Sequence, residues 1–220
     1  MESEIRQSTP ERLVYWYLRL NGFLLLENFI IHPDEGSEQR TDADILGVRF
    51  QHRSENILRP MQDDPQVSEC PTYVNVIIGE VKRGYCALNG PWTQPVSANM
   101  QRVLRALGCF EIAELEIAAQ ALYRNGFYQT PAATCRLLAF GNQKGDLPIP
   151  NVPQILFSEM IAFVFERIRQ YEKPKSAVGN WAWDGQALRE TYRKSRHLQN
   201  YDVHIRHLFD IPLVEDYHEE

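Results

Sequence analysis

The stretch "VNVIIGEVKRG", residues 74–84, is apolar until it ends in Glu80-Val81-Lys82. Side chains alternate along a strand, so Glu80 and Lys82 point to the same face. Asp44 heads an earlier apolar run, "ADILGVRF". If the two runs pair in suitable register, Asp44 comes within several ångströms of Glu80. Two carboxylates that close repel each other unless a cation lies between them. Mg²⁺ suits such a place, with Mn²⁺ as its substitute. It takes oxygen ligands and often only one or two carboxylates, with water and substrate phosphate completing the shell. The main-chain carbonyl of Val81 adds a further candidate ligand. A cation there lowers the pKa of a bound water and neutralises charge on a phosphate in the transition state. The ammonium of Lys82 is left to hold the attacking water or to steady the pentavalent phosphate. The plainer reading is a strand-end ion pair between Glu80 and Lys82, worth ~0–1 kcal/mol.

The elements that must position these residues can be read from pattern. "STPERLVYWYLRLNG" predicts a helix with Pro10 in its first turn and Asn21-Gly22 at its end. Phe23 to His32 predicts a buried strand, "PDEGSEQR" a turn, and the run from Ala43 a second strand. "QHRSENILRPMQDDPQVSECP", residues 51–71, predicts a long insertion before the third strand. That third strand is apolar on both faces, which places it centrally. Two helices follow, "SANMQRVLRALG" and "EIAELEIAAQALYRNG". A fourth strand, "TCRLLAFGN", and a long helix, "NVPQILFSEMIAFVFERIRQYEK", come next. The first three strands are joined by loops and should be antiparallel neighbours. The fourth follows a helical crossover and should add in parallel. The fold class is therefore α/β, a mixed central sheet flanked by helices. Residues 1–173 form the core, and 174–220 a C-terminal helical extension packed on it.

On these residues the chain resembles the PD-(D/E)XK nuclease superfamily, the restriction-endonuclease-like fold. In that family an Asp opens one strand and Glu-x-Lys closes the next, after an N-terminal helix that often bears a Glu. The resemblance covers roughly residues 10–170. It implies that Asp44 and Glu80 are metal ligands, that Lys82 is the catalytic lysine, and that Glu11 is the helix carboxylate. It implies a Mg²⁺-dependent nuclease acting on nucleic acid, with DNA the expected substrate, in a setting such as restriction, repair or anti-phage defence. Glu-x-Lys by itself arises roughly once by chance in a chain of this length. The weight comes from its place at the end of a core strand, with Asp44 heading the strand before. The chain departs from the pattern in its long insertion and in Ala43, where the family often has Pro. Asp42 competes with Asp44 for the metal role.

Other residues carry two readings each. Glu11 serves the site or a capping box, Ser8-x-x-Glu11. Glu27 is a buried carboxylate near the site or an edge residue in solvent. Gln101, Arg102 and Arg105 contact nucleic acid or line a solvated helix face, and Arg83 is a candidate backbone contact. His197, His204 and His207 do not make the convergent set that zinc requires. Trp181 and Trp183 stack on bases or pack internally.

The chain has 220 residues, and at 44% hydrophobic it can bury one sizeable core. No apolar run approaches the roughly 18 residues that span a bilayer. "MESEIRQSTPERL" lacks the order of a signal peptide, so a cytoplasmic location is expected. The four cysteines are widely spaced, which favours reduced, buried thiols over a disulfide framework. A net charge of −6 argues against a protein that coats DNA, yet leaves room for a local basic groove. So acidic a nuclease is expected to depend on a protein partner or on self-association for targeting. The competing class is a nuclease-fold scaffold that binds without cutting.

Overall fold

A computed structural model describes residues 7–32, 41–176 and 179–213. The turn expected at "PDEGSEQR" and the acidic stretch "VEDYHEE" lie outside them. Helix α1 (Pro10–Leu20) has proline in its first turn and ends at Asn21. Gly22 follows at φ 83°, a left-handed conformation that glycine adopts without a steric penalty. Strands β1 (Leu24–Ile31), β2 (Thr41–Phe50) and β3 (Val74–Val81) pair antiparallel. A short helix, α2 (Pro65–Ser68), lies in the excursion between β2 and β3. Helices α3 (Gly90–Thr93), α4 (Asn99–Leu107) and α5 (Leu115–Asn125) carry the chain across the sheet. Next come β4 (Phe127–Gln129), β5 (Ala133–Gly141) and β6 (Gln154–Leu156), then α6 (Phe157–Gln170), α7 (Trp183–Ser195) and α8 (Leu198–Leu208).

The sheet order is β1-β2-β3-β5-β4, with β6 beside the far half of β5. β5 runs parallel to β3, as the helical crossover requires. The result is a mixed six-stranded sheet in an α/β fold. Two strands escape the sequence pattern. β4 and β6 have three residues each, too few to show a period. Gln154–Leu156 belongs to the sheet and not to the long helix predicted from Asn151. That helix starts at Phe157, where the Glu159 carboxylate accepts from the Leu156 N–H at 2.9 Å.

Apolar residues fill both sides of the sheet. Ile45, Ile77, Val81, Leu138 and Phe140 join one cluster with α1, α6, α7 and α8. Leu46, Val76, Ile78, Cys135 and Leu137 join another with α4 and α5. β3 is thus covered on both faces. β1, predicted as buried, is an edge strand. Leu24 and Leu26, on the same face of it, are 67% and 58% exposed. α7 and α8 share the cluster of α1 and α6. A Cβ on Gly185 would stand 2.1 Å from the Trp16 ring, so only glycine lets α7 lie this close to α1. Trp181 packs on Trp16 with ring centroids 4.9 Å apart, which assigns it to packing.

The excursion over residues 51–71 is pinned by charge. Asp63 accepts from Arg49 and Arg53 at 2.7 Å and from Arg167 at 2.8 Å. Arg167, with no exposure, also pairs with Glu55 at 2.8 Å, and Lys175 binds Glu55 as well. Burial alone would raise the pKa of Asp63, but the three arginines outweigh it and hold it below the usual carboxylate range. The contribution of Asp63 is therefore present above the ordinary aspartate pKa and is lost as pH falls through the depressed one. Asp63→Ala should cost about 3 kcal/mol at neutral pH, since it leaves buried arginines without their counter-charge. The urea midpoint measures this; a loss below about 0.5 kcal/mol would contradict the assignment.

Candidate active site

The last turn of β3 is built around Gly79. A Cβ there would meet Ile45 Cγ2 at 2.5 Å and the Phe140 ring at 2.9 Å. Its absence lets side chains of β2 and β5 close over β3 just before Glu80. Ile45 pairs with Gly79, and one further step of that register sets Asp44 opposite Glu80. There Asp44 Oδ2 accepts from the Val81 N–H at 2.7 Å. The Lys82 N–H donates to the Phe140 carbonyl at 2.9 Å, which holds the chain beside β5 past the end of the strand.

Glu80 is 2% exposed. Trp92 Nε1–H, on α3, donates to its Oε2 at 2.9 Å, and the Lys82 ammonium binds Oε1. The Glu80 carboxyl is raised to about 7: burial is the largest cause and the Asp44 charge adds to it, against the opposing pull of Lys82 and Trp92. Asp44 is raised too. Burial is the largest cause, the Val81 N–H and Lys82 oppose it, and the charges of Glu11 and Asp42 add to it. Lys82 is thus left to offset several carboxylates. A cation at this place would relieve the repulsion.

The donor set suits a hard divalent cation. Asp44, Glu80 and the Val81 carbonyl offer only oxygen. Among the described residues no group of three or more His, Cys, Asp or Glu side chains converges as a ready-made ligand set. Any ion here would rest on the carboxylate pair, main-chain oxygen and water.

The remaining candidates fall as follows. Glu11 lies within electrostatic reach of Asp44. Its capping box does not form: Thr9 is the N-cap without a side-chain bond, and the Ser8 hydroxyl donates to Asp184 at 3.5 Å. Asp44, not Asp42, makes the contact with the end of β3. Glu27 is half-buried and paired with Arg12, which also binds Asp184 at 2.6 Å. Arg83 pairs with Asp210. Gln101 donates to Glu116 at 3.2 Å, and Arg102 to the Ser97 and Ala98 carbonyls. Arg105 is exposed. His204 is bound to the Asn200 carbonyl at 2.6 Å. One participant was not anticipated from the sequence, Trp92, which binds Glu80. The only signal for Trp92 is a tryptophan in the turn-rich "NGPWTQP" directly after Glu-x-Lys.

No protein-family model, no curated protein and no solved structure matches this chain.

The raised pKa of Glu80 has a stability consequence. A carboxyl that keeps its proton longer folded than unfolded stabilises the fold at low pH. That gain is lost as pH rises from the ordinary glutamate value through about 7. Glu80→Gln should therefore gain stability relative to the parent across that window, by on the order of 2 kcal/mol. Parallel urea titrations at pH 4.5 and 8 measure the difference. A constant gap between the two proteins would contradict the pKa shift.

Proposed function

We propose that the chain is a divalent-cation-dependent nuclease of the PD-(D/E)XK type that hydrolyses phosphodiester bonds in DNA. One observation carries this reading. The Asp44 carboxylate is fastened to the Val81 N–H, so Asp44, Glu80 and Lys82 stand together at the end of a central strand. The order of elements, a helix and three antiparallel strands followed by a crossover to a parallel strand, supports it.

Asp44, Glu80 and the Val81 carbonyl are the residues that would hold Mg²⁺ or Mn²⁺. The cation, when bound, supplies charge neutralisation at the phosphate and an activated water. Trp92 fixes one oxygen of Glu80 and so its rotamer. Lys82, 30% exposed at its side chain, can turn from Glu80 to the phosphate and hold a positive charge against the transition state. Glu11 adds negative charge beside Asp44. Arg83, next to Lys82 in the chain, is our candidate for contact with the backbone of the nucleic acid. Restriction, repair or anti-phage defence in the cytoplasm is the setting we favour, with targeting by a protein partner or a second copy. No described helix is long and apolar enough to cross a membrane.

A scaffold without cutting activity is the second reading. The observation in its favour is that both Glu80 oxygens and one Asp44 oxygen already accept protein donors. Incubation with plasmid, linear and single-stranded DNA and with RNA separates the two. Cutting should need Mg²⁺ or Mn²⁺, stop in EDTA, and fall by about 10²–10³-fold in Lys82→Ala. Cutting that survives EDTA or Lys82→Ala contradicts the nuclease reading. No cutting, with no cation bound, favours the scaffold.

A further inference from the structure

A cavity of about 260 Å³ opens at Arg83, the residue after Lys82. It is lined by Gln7, Arg83, Arg206, His207 and Asp210, among others. The Arg83 guanidinium is the next cation along the chain for a phosphate adjoining one held at Lys82. In the structure an internal anion holds that place, the carboxylate of Asp210.

Asp210 is delivered there by a rigid mount. It follows α8 with φ 54°, a left-handed conformation that Asp and Asn tolerate better than most residues. Phe209 and Ile211 on either side are 0% and 5% exposed and anchored in the core. Arg206, 4% exposed, donates to Asp202, to Asn142 and to the Pro212 carbonyl, fixing the chain on both sides of Asp210. The mount is buried, but the ion pair is not. The side chains of Arg83 and Asp210 are 60% and 39% exposed. An exposed pair contributes little and exchanges readily. A phosphodiester offers Arg83 a like charge with two acceptor oxygens in the geometry that guanidinium prefers.

We propose that Arg83 and this cavity seat the phosphate next to the scissile one, and that Asp210 is a built-in phosphate surrogate which the strand displaces. The proposal rests on the nuclease reading and adds a brake to it. Binding begins only when a strand replaces the Asp210 carboxylate, so weak or misplaced contacts are discouraged.

Binding of fluorescently labelled single-stranded and duplex DNA, measured by anisotropy in EDTA so that no chemistry occurs, tests this. Asp210→Asn keeps the left-handed backbone and removes the charge. It should bind about two- to fivefold tighter than the parent, with a salt dependence steeper by about one counterion. Arg83→Ala should bind more weakly, and adding Asp210→Asn to it should restore nothing. Thermal melts confirm that both variants fold. DNA binding that neither substitution alters overturns the phosphate seat while leaving the nuclease reading intact. Weakening by Arg83→Ala with no gain from Asp210→Asn overturns the surrogate role. If neither the parent nor Asp210→Asn binds DNA, the phosphate seat falls, and the cutting assay decides the nuclease reading separately.

Discussion

The hydrogen bond from the Val81 N–H to the Asp44 carboxylate is the contact on which the rest of the site depends. It joins the ends of two strands at the point where their ladder stops. A slip of one residue between β2 and β3 would send Asp44 to the wrong face. The register is held against such a slip because both faces are committed. Ile45 and Ile77 belong to one apolar cluster, Leu46 and Val76 to the other. Gly79 removes the one side chain that would wedge β2 from β3 next to the site. The extension is tied to the helix that carries Glu11, since α7 lies against Trp16 and its Asp184 holds Arg12.

Two groups of partly buried carboxylates in this protein make opposite use of the same physics. Asp63 and Glu55 are surrounded by Arg49, Arg53, Arg167 and Lys175, and Asp63 titrates below the ordinary range. That group ties a long excursion to α6, a structural task. Asp44 and Glu80 have Lys82 beside them and the charge of Glu11 within reach, and both are raised. The first cluster is complete without a further ion. The second is short of positive charge in a buried place. Local conflict of this kind is expected where function overrides stability. It is the electrostatic reason to read the end of β3, and not the excursion, as the place that a cation and a phosphate would occupy.

Much of this was legible before the structure. β3 announced itself as central because Val76, Ile77 and Ile78 leave neither face polar. Asp44 and Glu80 were legible as a pair because period-2 alternation and antiparallel pairing constrain strand ends tightly. The edge position of β1 was not legible. "LLLENFII" is as apolar as a buried strand, and only the sheet order makes it an edge, with Leu24 and Leu26 exposed. β4 and β6 were too short to carry a period. The bond from Trp92 to Glu80 joins a loop helix to a strand end, a tertiary choice that no local pattern encodes. The same is true of Arg12, whose partners Glu27 and Asp184 lie on different elements.

The central claim is that the Asp44–Glu80 pair is a cation site. Crystals of the protein grown or soaked with Mn²⁺, with diffraction collected at the manganese edge, test it most directly. The account predicts one anomalous peak within coordination distance of both Asp44 and Glu80, about 2.0–2.2 Å from their oxygens by analogy with Mg²⁺, and absent in Glu80→Gln crystals. A peak elsewhere, or none at saturating Mn²⁺, would contradict it.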